Sequence, residues 1–264
     1  MKVATFNVNS VRARLPILTE WLVSASPDVV ALQETKVEDD KFPIADFEAL
    51  GYHVSMHGQK SYCGVAFLSK APAVDVEWGF PDPAWPKDAR IIRGVFDGVL
   101  LINTYVPNGT SVGSEKWDYK LRWLDRFKQM CGEVAGPNDR VIWLGDINIA
   151  PTSDDVYESH RHLGGVGHHP DEFSRLAEIV DWGWTDCFRR FVQGPKHYTF
   201  WDLRLPNGFK RDLGWRIDHI YASPAVVDNC VECFVDKEPR GLTRPSDHTP
   251  LVATFDWASA SREV

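Results

Sequence analysis

Four apolar runs carry, at one end, groups able to bind a cation or move a proton: VVALQET (29–35), VIWLGDIN (141–148), WRID (215–218) and SDHTPLVATF (246–255). Apolar runs have a reason to be buried. Glu34, Asp146, Asn148, Asp218, Asp247 and His248 lose hydration there unless they hold a metal, a proton or each other. Such a set suits metal-assisted chemistry on a phosphoester. Hard divalent cations take oxygen ligands, commonly one or two carboxylates with water and substrate phosphate, and Glu34 with Asp247 can supply them. Asn7, which ends the first run, adds an amide able to ligate or to orient.

Asp146 and Asn148 lie two residues apart, so in an extended segment both side chains point the same way. A carboxylate that accepts a proton and an amide that both donates and accepts would hold an attacking water, or a phosphate oxygen, in line. DxN is equally a turn former that bonds its own backbone, and both readings stand at this point. Asp218 and His248 suggest a carboxylate fixing one imidazole nitrogen while the other faces a phosphate, an arrangement that favours the imidazolium. The bland alternative is a histidine opening a strand and capped by Asp247.

Strands must position these groups. Enrichment in β-branched and aromatic residues between turn signals predicts eleven, over 2–7, 28–33, 52–57, 63–69, 89–96, 98–106, 140–146, 197–202, 215–222, 228–235 and 249–255. Helical spacing predicts helices over 12–25, 114–131 and 171–182, the second starting at Ser114. Helices among so many strands, several close enough for hairpins, imply mixed sheets packed together with helices outside. The expectation is one domain over 1–257, with ASASREV (258–264) as a frayed tail. Gly- and Pro-rich loops at 79–88, 107–113, 151–170 and 203–214 are long enough to rim a site. No sequence repeat is evident.

In the composition, 44% of the 264 residues are hydrophobic and 25% charged, which fits a single soluble core. MKVATFN reaches Asn7 too soon for a secretory leader, and no 18-residue apolar stretch occurs, so a cytoplasmic protein without a membrane partner is expected. Five cysteines suit a reducing compartment. The pair Cys230 and Cys233 reads as positions of opposite facing on one strand, unable to hold one ion without a bulge. The histidine-rich segment SHRHLGGVGHHP (159–170) reads as a solvated loop.

Six strings together carry a resemblance: LQETK (32–36), YVPNG (105–109), GDINIAPT (145–152), YTFWD (198–202), GWRIDHIYAS (214–223) and SDHTP (246–250). In that order they resemble the exonuclease III family of apurinic/apyrimidinic endonucleases, across residues 2–256. The resemblance implies a four-layered α/β sandwich of the endonuclease/exonuclease/phosphatase superfamily, DNase I-like, with two mixed β-sheets packed face to face and flanked by helices. It implies Mg²⁺, or Mn²⁺ in its place, as one or two ions. Glu34 then resembles the principal ligand, with Asn7 and Asp247 beside it and Asp146, Asn148 and His248 within the metal's reach.

Tyr105, Asp146, Asn148, Asp218 and His248 resemble the catalytic group. Arg12, Lys36, Tyr62, Arg90 and Asn108 resemble residues touching the DNA backbone, and Phe200, Trp215 and Ile217 resemble the walls of an abasic-sugar pocket. The implied activity is hydrolysis of the phosphodiester 5′ to abasic sites in base excision repair, with 3′-to-5′ exonuclease and 3′-phosphodiesterase activity. The implied partner is double-stranded DNA bearing abasic sites or 3′-blocked ends, bound by a monomer that associates with the nucleoid when acting. An alternative on the same core is a phosphatase of a small phosphate ester. Net charge is −8, so a DNA groove must be local. Clusters at Arg12 and Arg14, Arg90 and Arg93, Lys116 with Lys120 and Arg122, and Lys210 with Arg211 and Arg216 offer candidates.

Overall fold

Valine, isoleucine, leucine and tryptophan fill the central strands because both faces of each sheet are covered. The structure, a computed structural model, describes residues 1–257, and the expected tail over 258–264 lies outside them. The strands among the described residues are β1 (Lys2–Asn7), β2 (Val29–Gln33), β3 (His53–His57), β4 (Val65–Ser69), β5 (Val74–Trp78), β6 (Ile91–Phe96), β7 (Val99–Tyr105), β8 (Val141–Asp146), β9 (Thr185–Asp186), β10 (Asp218–Ala222), β11 (Cys230–Val235) and β12 (Leu251–Phe255). They form two six-stranded sheets, ordered β11-β12-β1-β2-β4-β3 and β5-β6-β7-β8-β10-β9.

Each sheet has one parallel pair at its centre, β1 with β2 and β7 with β8. A long helix makes each crossover, Val11–Ala25 in the first case and Glu115–Val134 in the second. The two halves thus share a plan that no sequence repeat discloses. Ser114 caps the second helix as expected, its hydroxyl accepting from the Trp117 amide at 3.2 Å. Asp97 and Gly98, both at positive φ, close the β6–β7 hairpin in the two-residue turn that suits right-twisted strands.

Alternation along β8 shows how the layers arise. Ile142 and Leu144 face inward to meet Val3, Ala31 and Phe67 of the other sheet. Val141 and Trp143 face outward against Trp123, Phe127 and Leu176 of the helices. On the far side, Phe6, Val30 and Leu68 pack on Leu18, Trp21 and Leu22. The result is helix, sheet, sheet, helix, the expected four-layered α/β sandwich. Polar residues also cross the inner layer. The Gln33 amide donates to Asn103 Oδ1 at 2.7 Å and to Thr5 Oγ1 at 3.0 Å, and Asn103 donates to the carbonyls of Leu32 and Ala66, each at 3.0 Å. All three side chains are buried and satisfied, so they rivet the sheets in one register.

Several expectations need correction. The segment 197–202 is not a strand. Its groups are shared: Phe200 and Trp215 exchange backbone bonds, while Trp201 N–H donates to Asp247 and Thr249 N–H to Thr199. Its backbone partners lie in the segments leading into β10 and β12, outside both ladders. β5 escaped notice because VDVEW is a mostly exposed edge strand carrying Asp75 and Glu77. The bulge that VVDNCVECFVD would need for both cysteines to face one way is present between Cys230 and Glu232. It turns both Cys230 and Cys233 inward, beside Cys187, so the argument from opposite facing does not apply. All five cysteines are free and buried.

Candidate active site

The polar groups gather where the parallel strands end. Asn7 closes β1, Glu34 follows β2, Tyr105 closes β7 and Asp146 closes β8, while Asp218 opens β10 and His248 lies just before β12. Gly145 makes the placement of Asp146 feasible, because a Cβ there would stand 2.0 Å from the Thr104 carbonyl oxygen of β7. Glu34, Lys36 and Asn148 all have φ between 51° and 55°, left-handed backbone that residues with a Cβ adopt at a cost. Such strain concentrates where a side chain must be aimed.

Asn7 bridges two carboxylates, its amide donating to Glu34 Oε1 at 2.8 Å and to Asp146 Oδ2 at 2.9 Å. Its oxygen accepts from the Asn9 amide at 3.0 Å, so both ends of the Asn7 side chain are engaged. Glu34 also meets the Lys36 ammonium at 2.8 Å. Burial raises the Glu34 carboxyl, but Lys36 and Asn7 together leave it below its ordinary value. Asp146 is buried among Asp218 and Glu34, and burial, opposed by His248, lifts it to about 7.

The Asp218–His248 contact that sequence spacing could not establish is made, with His248 Nδ1 2.8 Å from Asp218 Oδ2. The other ring nitrogen lies 3.7 Å from Asp146 Oδ2. Burial opposes the imidazolium, yet Asp218 and Asp146 outweigh it and raise the ring to about 10. The two carboxylates thus favour the imidazolium form of His248. Tyr105, raised well above its ordinary value by burial with Glu34 and Asp146 nearby, stays a hydroxyl donor.

Asn148 fits both readings of DxN. It lines the cavity with Asp146, and its backbone N–H donates to Asp146 Oδ1 at 3.0 Å. Its amide is engaged on both sides, accepting from Asn108 Nδ2 at 3.0 Å and donating to the Val106 carbonyl at 3.0 Å. Asp247 lines the cavity and accepts from Asn9 Nδ2 at 2.9 Å.

Ligand atoms of Glu34, Asp146 and His248 lie within 4.8 Å of one another, the one such carboxylate and histidine grouping among the described residues. Two oxygen-bearing carboxylates at Coulombic odds, next to a buried Asp218 Oδ1 that lacks a partner, fit a hard divalent cation. His248 is bonded to Asp218 through Nδ1, and its Nε2 faces Asp146. A thermal-shift titration should therefore show stabilisation by Mg²⁺ or Mn²⁺ that reaches about 2.7 kcal/mol at a hundredfold excess over Kd. Glu34→Gln should abolish most of it, and an equal shift in that variant would place the cation elsewhere.

The cavity measures about 440 Å³. Phe200, Trp215 and Ile217 line it as expected, with the Phe200 ring 4.9 Å from that of His248. Of the expected DNA contacts, Asn108 lines the cavity and Lys36 sits on Glu34. Arg90 stacks 4.8 Å over the Tyr105 ring and pairs with Asp88. Arg12 and Tyr62 are exposed and stand outside the cavity. Tyr157, His162, Asp202 and Arg204 line it unforeseen.

The histidine-rich loop is not merely solvated. His162 packs edge-on against Trp215 at 4.9 Å, and His168 is buried, bonding Ala150 O at 2.7 Å and Ser159 Oγ at 2.8 Å. Three residues from the basic clusters, Arg93, Lys120 and Arg216, are buried structural cations with acidic partners.

A two-sheet sandwich that aims carboxylates, an imidazolium and a tyrosine into one cleft from its strand ends defines a metal-dependent phosphoesterase. The chain belongs to the Endonuclease/Exonuclease/phosphatase family, whose profile matches residues 4–248. It is 33% identical to exodeoxyribonuclease III of Haemophilus influenzae, over 97% of this chain and 100% of the relative. An AP endonuclease from Archaeoglobus fulgidus superposes with a TM-score of 0.92 at 41% identity, covering 97% of this chain and 99% of that one. The 3′ phosphatase NExo from Neisseria, solved with a product DNA hairpin, also gives 0.92, at 38% identity and 97% and 100% coverage.

Proposed function

We propose that the protein is a Mg²⁺-dependent DNA repair nuclease that hydrolyses the phosphodiester 5′ to an abasic site, with 3′-to-5′ exonuclease and 3′-phosphodiesterase activity at the same centre. Mn²⁺ would substitute. The observation that carries the reading is the cavity walled by Phe200, Trp215 and Ile217 directly beside the Asp218–His248 pair. A deoxyribose without its base is already unstacked, so turning it out of the duplex costs less than turning out an intact nucleotide. The relatives named above are, by their names, an exodeoxyribonuclease, an AP endonuclease and a 3′ phosphatase solved with product DNA.

In the proposed reaction the scissile phosphate lies between His248 and Tyr105. The imidazolium offers Nε2–H to a phosphoryl oxygen, held in orientation through Nδ1 by Asp218, and the Tyr105 hydroxyl donates to another. Asp146, near neutral in its proton affinity, aligns the attacking water and takes its proton as the new P–O bond forms, while the 3′-oxygen leaves as its bond to phosphorus breaks and takes a proton from solvent water. The products are a 3′-hydroxyl and a 5′-phosphate on the abasic sugar. A divalent cation held by Glu34 and Asp146 would supply Lewis-acid charge to the phosphoryl oxygens. The protein would act as a single-domain monomer, since one chain contains every group used.

The test is cleavage of a labelled duplex bearing one abasic analogue, in Mg²⁺ and in EDTA. Incision 5′ to the lesion in Mg²⁺ alone is expected. Phe200→Ala should weaken the preference for the lesion over intact duplex by about tenfold, the value of one lost apolar contact of roughly 1.4 kcal/mol. Hydrolysis of a small phosphate ester with no cut at the lesion would transfer the function to a phosphatase.

A further inference from the structure

We propose that the buried ion pair Lys120–Glu172 is a positioning device, one that holds the Asn108–Asn148 amides and the Gly167 wall of the cavity in the register turnover requires. The proposal rests on reading the cavity as a DNA-cleaving site. Lys120 projects from the helix Glu115–Val134 and Glu172 from the helix Pro170–Val180, and both side chains are fully buried. Lys120 uses all three donors: Nζ lies 2.5 Å from Glu172 Oε1, 2.8 Å from the Asn148 carbonyl and 3.2 Å from the Asn108 carbonyl. Glu172 in turn accepts from the backbone N–H groups of Gly167 and His169, each at 3.1 Å.

One pair of charges thus ties together the loops after β7 and β8 and the turn before the second of these helices. Each tied loop presents a cavity residue. Asn148 is one hydrogen bond from Asp146, and its left-handed backbone needs an outside hold to persist. Gly167 borders Trp215, and its carbonyl accepts from the Ala150 amide at 2.7 Å. A buried ion pair contributes little net stability compared with an apolar pair of similar volume. What Lys120 and Glu172 provide that such a pair cannot is five directional bonds to backbone and to each other.

The experiment compares the full chain with Lys120→Met/Glu172→Gln, which removes both charges together, and with Glu172→Gln, which keeps the lysine should the double variant fold poorly. Amide hydrogen exchange, melting temperature, kcat and KM on the abasic duplex are measured. A loosened loop should lower kcat about ten- to a hundredfold with KM changed less than about threefold, as expected of misplacement on the ångström scale. The amides of Asn148, Ala150 and Gly167 should exchange at least about tenfold faster while those of Ile142 and Leu144 do not change.

Parent-like kcat, or a loss only in proportion to the unfolded fraction, would overturn the proposal, as would unaltered exchange at those three amides. If the parent itself fails to incise, the functional reading falls. The exchange arm then decides the positioning claim alone, faster local exchange supporting it and unaltered exchange refuting it.

Discussion

Asp146→Asn is expected to lower kcat on an abasic duplex by about 10³-fold, within the range that positioned proton transfer contributes. The substitution preserves shape but keeps only one oxygen, so one of the two donors, Asn7 Nδ2 at Oδ2 or the Asn148 N–H at Oδ1, retains its acceptor. What disappears is the proton acceptor. Stability should move the other way. A carboxyl whose folded value lies near 7 and whose ordinary value is 3.8 favours the fold most when protonated, and that contribution is lost as pH rises through about 7.

Without added cation at pH 8, the variant should therefore melt no lower than the parent, and acidification toward pH 5 should stabilise the parent but not the variant. Activity within tenfold of the parent would remove Asp146 from the proton path. The opposed directions of the two readouts reflect a site that sacrifices stability for reactivity.

Arg216→Met should have the largest effect on the fold itself, about 3–5 kcal/mol, because it takes the guanidinium from the part-buried Asp186 and leaves the buried Asp155 with Arg189 alone. Arg216 Nε lies 2.6 Å from Asp155 Oδ1 and Nη1 lies 2.8 Å from Asp186 Oδ2, with His219 Nδ1 accepting from the same guanidinium at 3.0 Å. Burial raises the Asp155 carboxyl, but Arg216 and Thr152 overcome it and hold it at about 2. Asp186 is lowered in the same way. Carboxyls depressed in the fold add stability above their ordinary value of 3.8 that is lost as pH falls toward about 2, so the parent should unfold in acid across that window.

In the variant that acid transition should move up in pH, and the melting temperature at pH 7 should fall on the order of 10 °C. A melting temperature within a few degrees of the parent would show that methionine fills the site without exposing the carboxylates to an unpaired state.

Arg216 also marks where sequence reading stops. Asn7, Glu34, Asp146, Asp218 and His248 were legible because each interrupts an apolar run at its end, a pattern that needs no knowledge of partners. Phe200, Trp215 and Ile217 were legible only through resemblance, since aromatic residues near a strand are most often core. Lys120 and Arg216 sat in basic clusters that read as candidates for a DNA groove. Their acidic partners Glu172, Asp155 and Asp186 come from distant segments, and no local spacing announces such a pair. The same holds for the inner strap of Gln33 and Asn103, and for the bulge at Cys230, which depends on what β12 places opposite. Local pattern specified the layers, while the charged contacts inside them required the folded chain.

The shared plan of the two halves has a mechanical meaning. Asn7, Glu34 and His248 ride on one sheet or its approaches, whereas Tyr105, Asp146 and Asp218 ride on the other. Neither sheet owns the reaction. Shear between them would change every cross-sheet distance at once, including the Asn7–Asp146 and His248–Asp218 contacts. The Gln33–Asn103 bond spans that slip plane. The sandwich therefore behaves as a vernier, in which alignment along the whole interface is read out as spacing at one end.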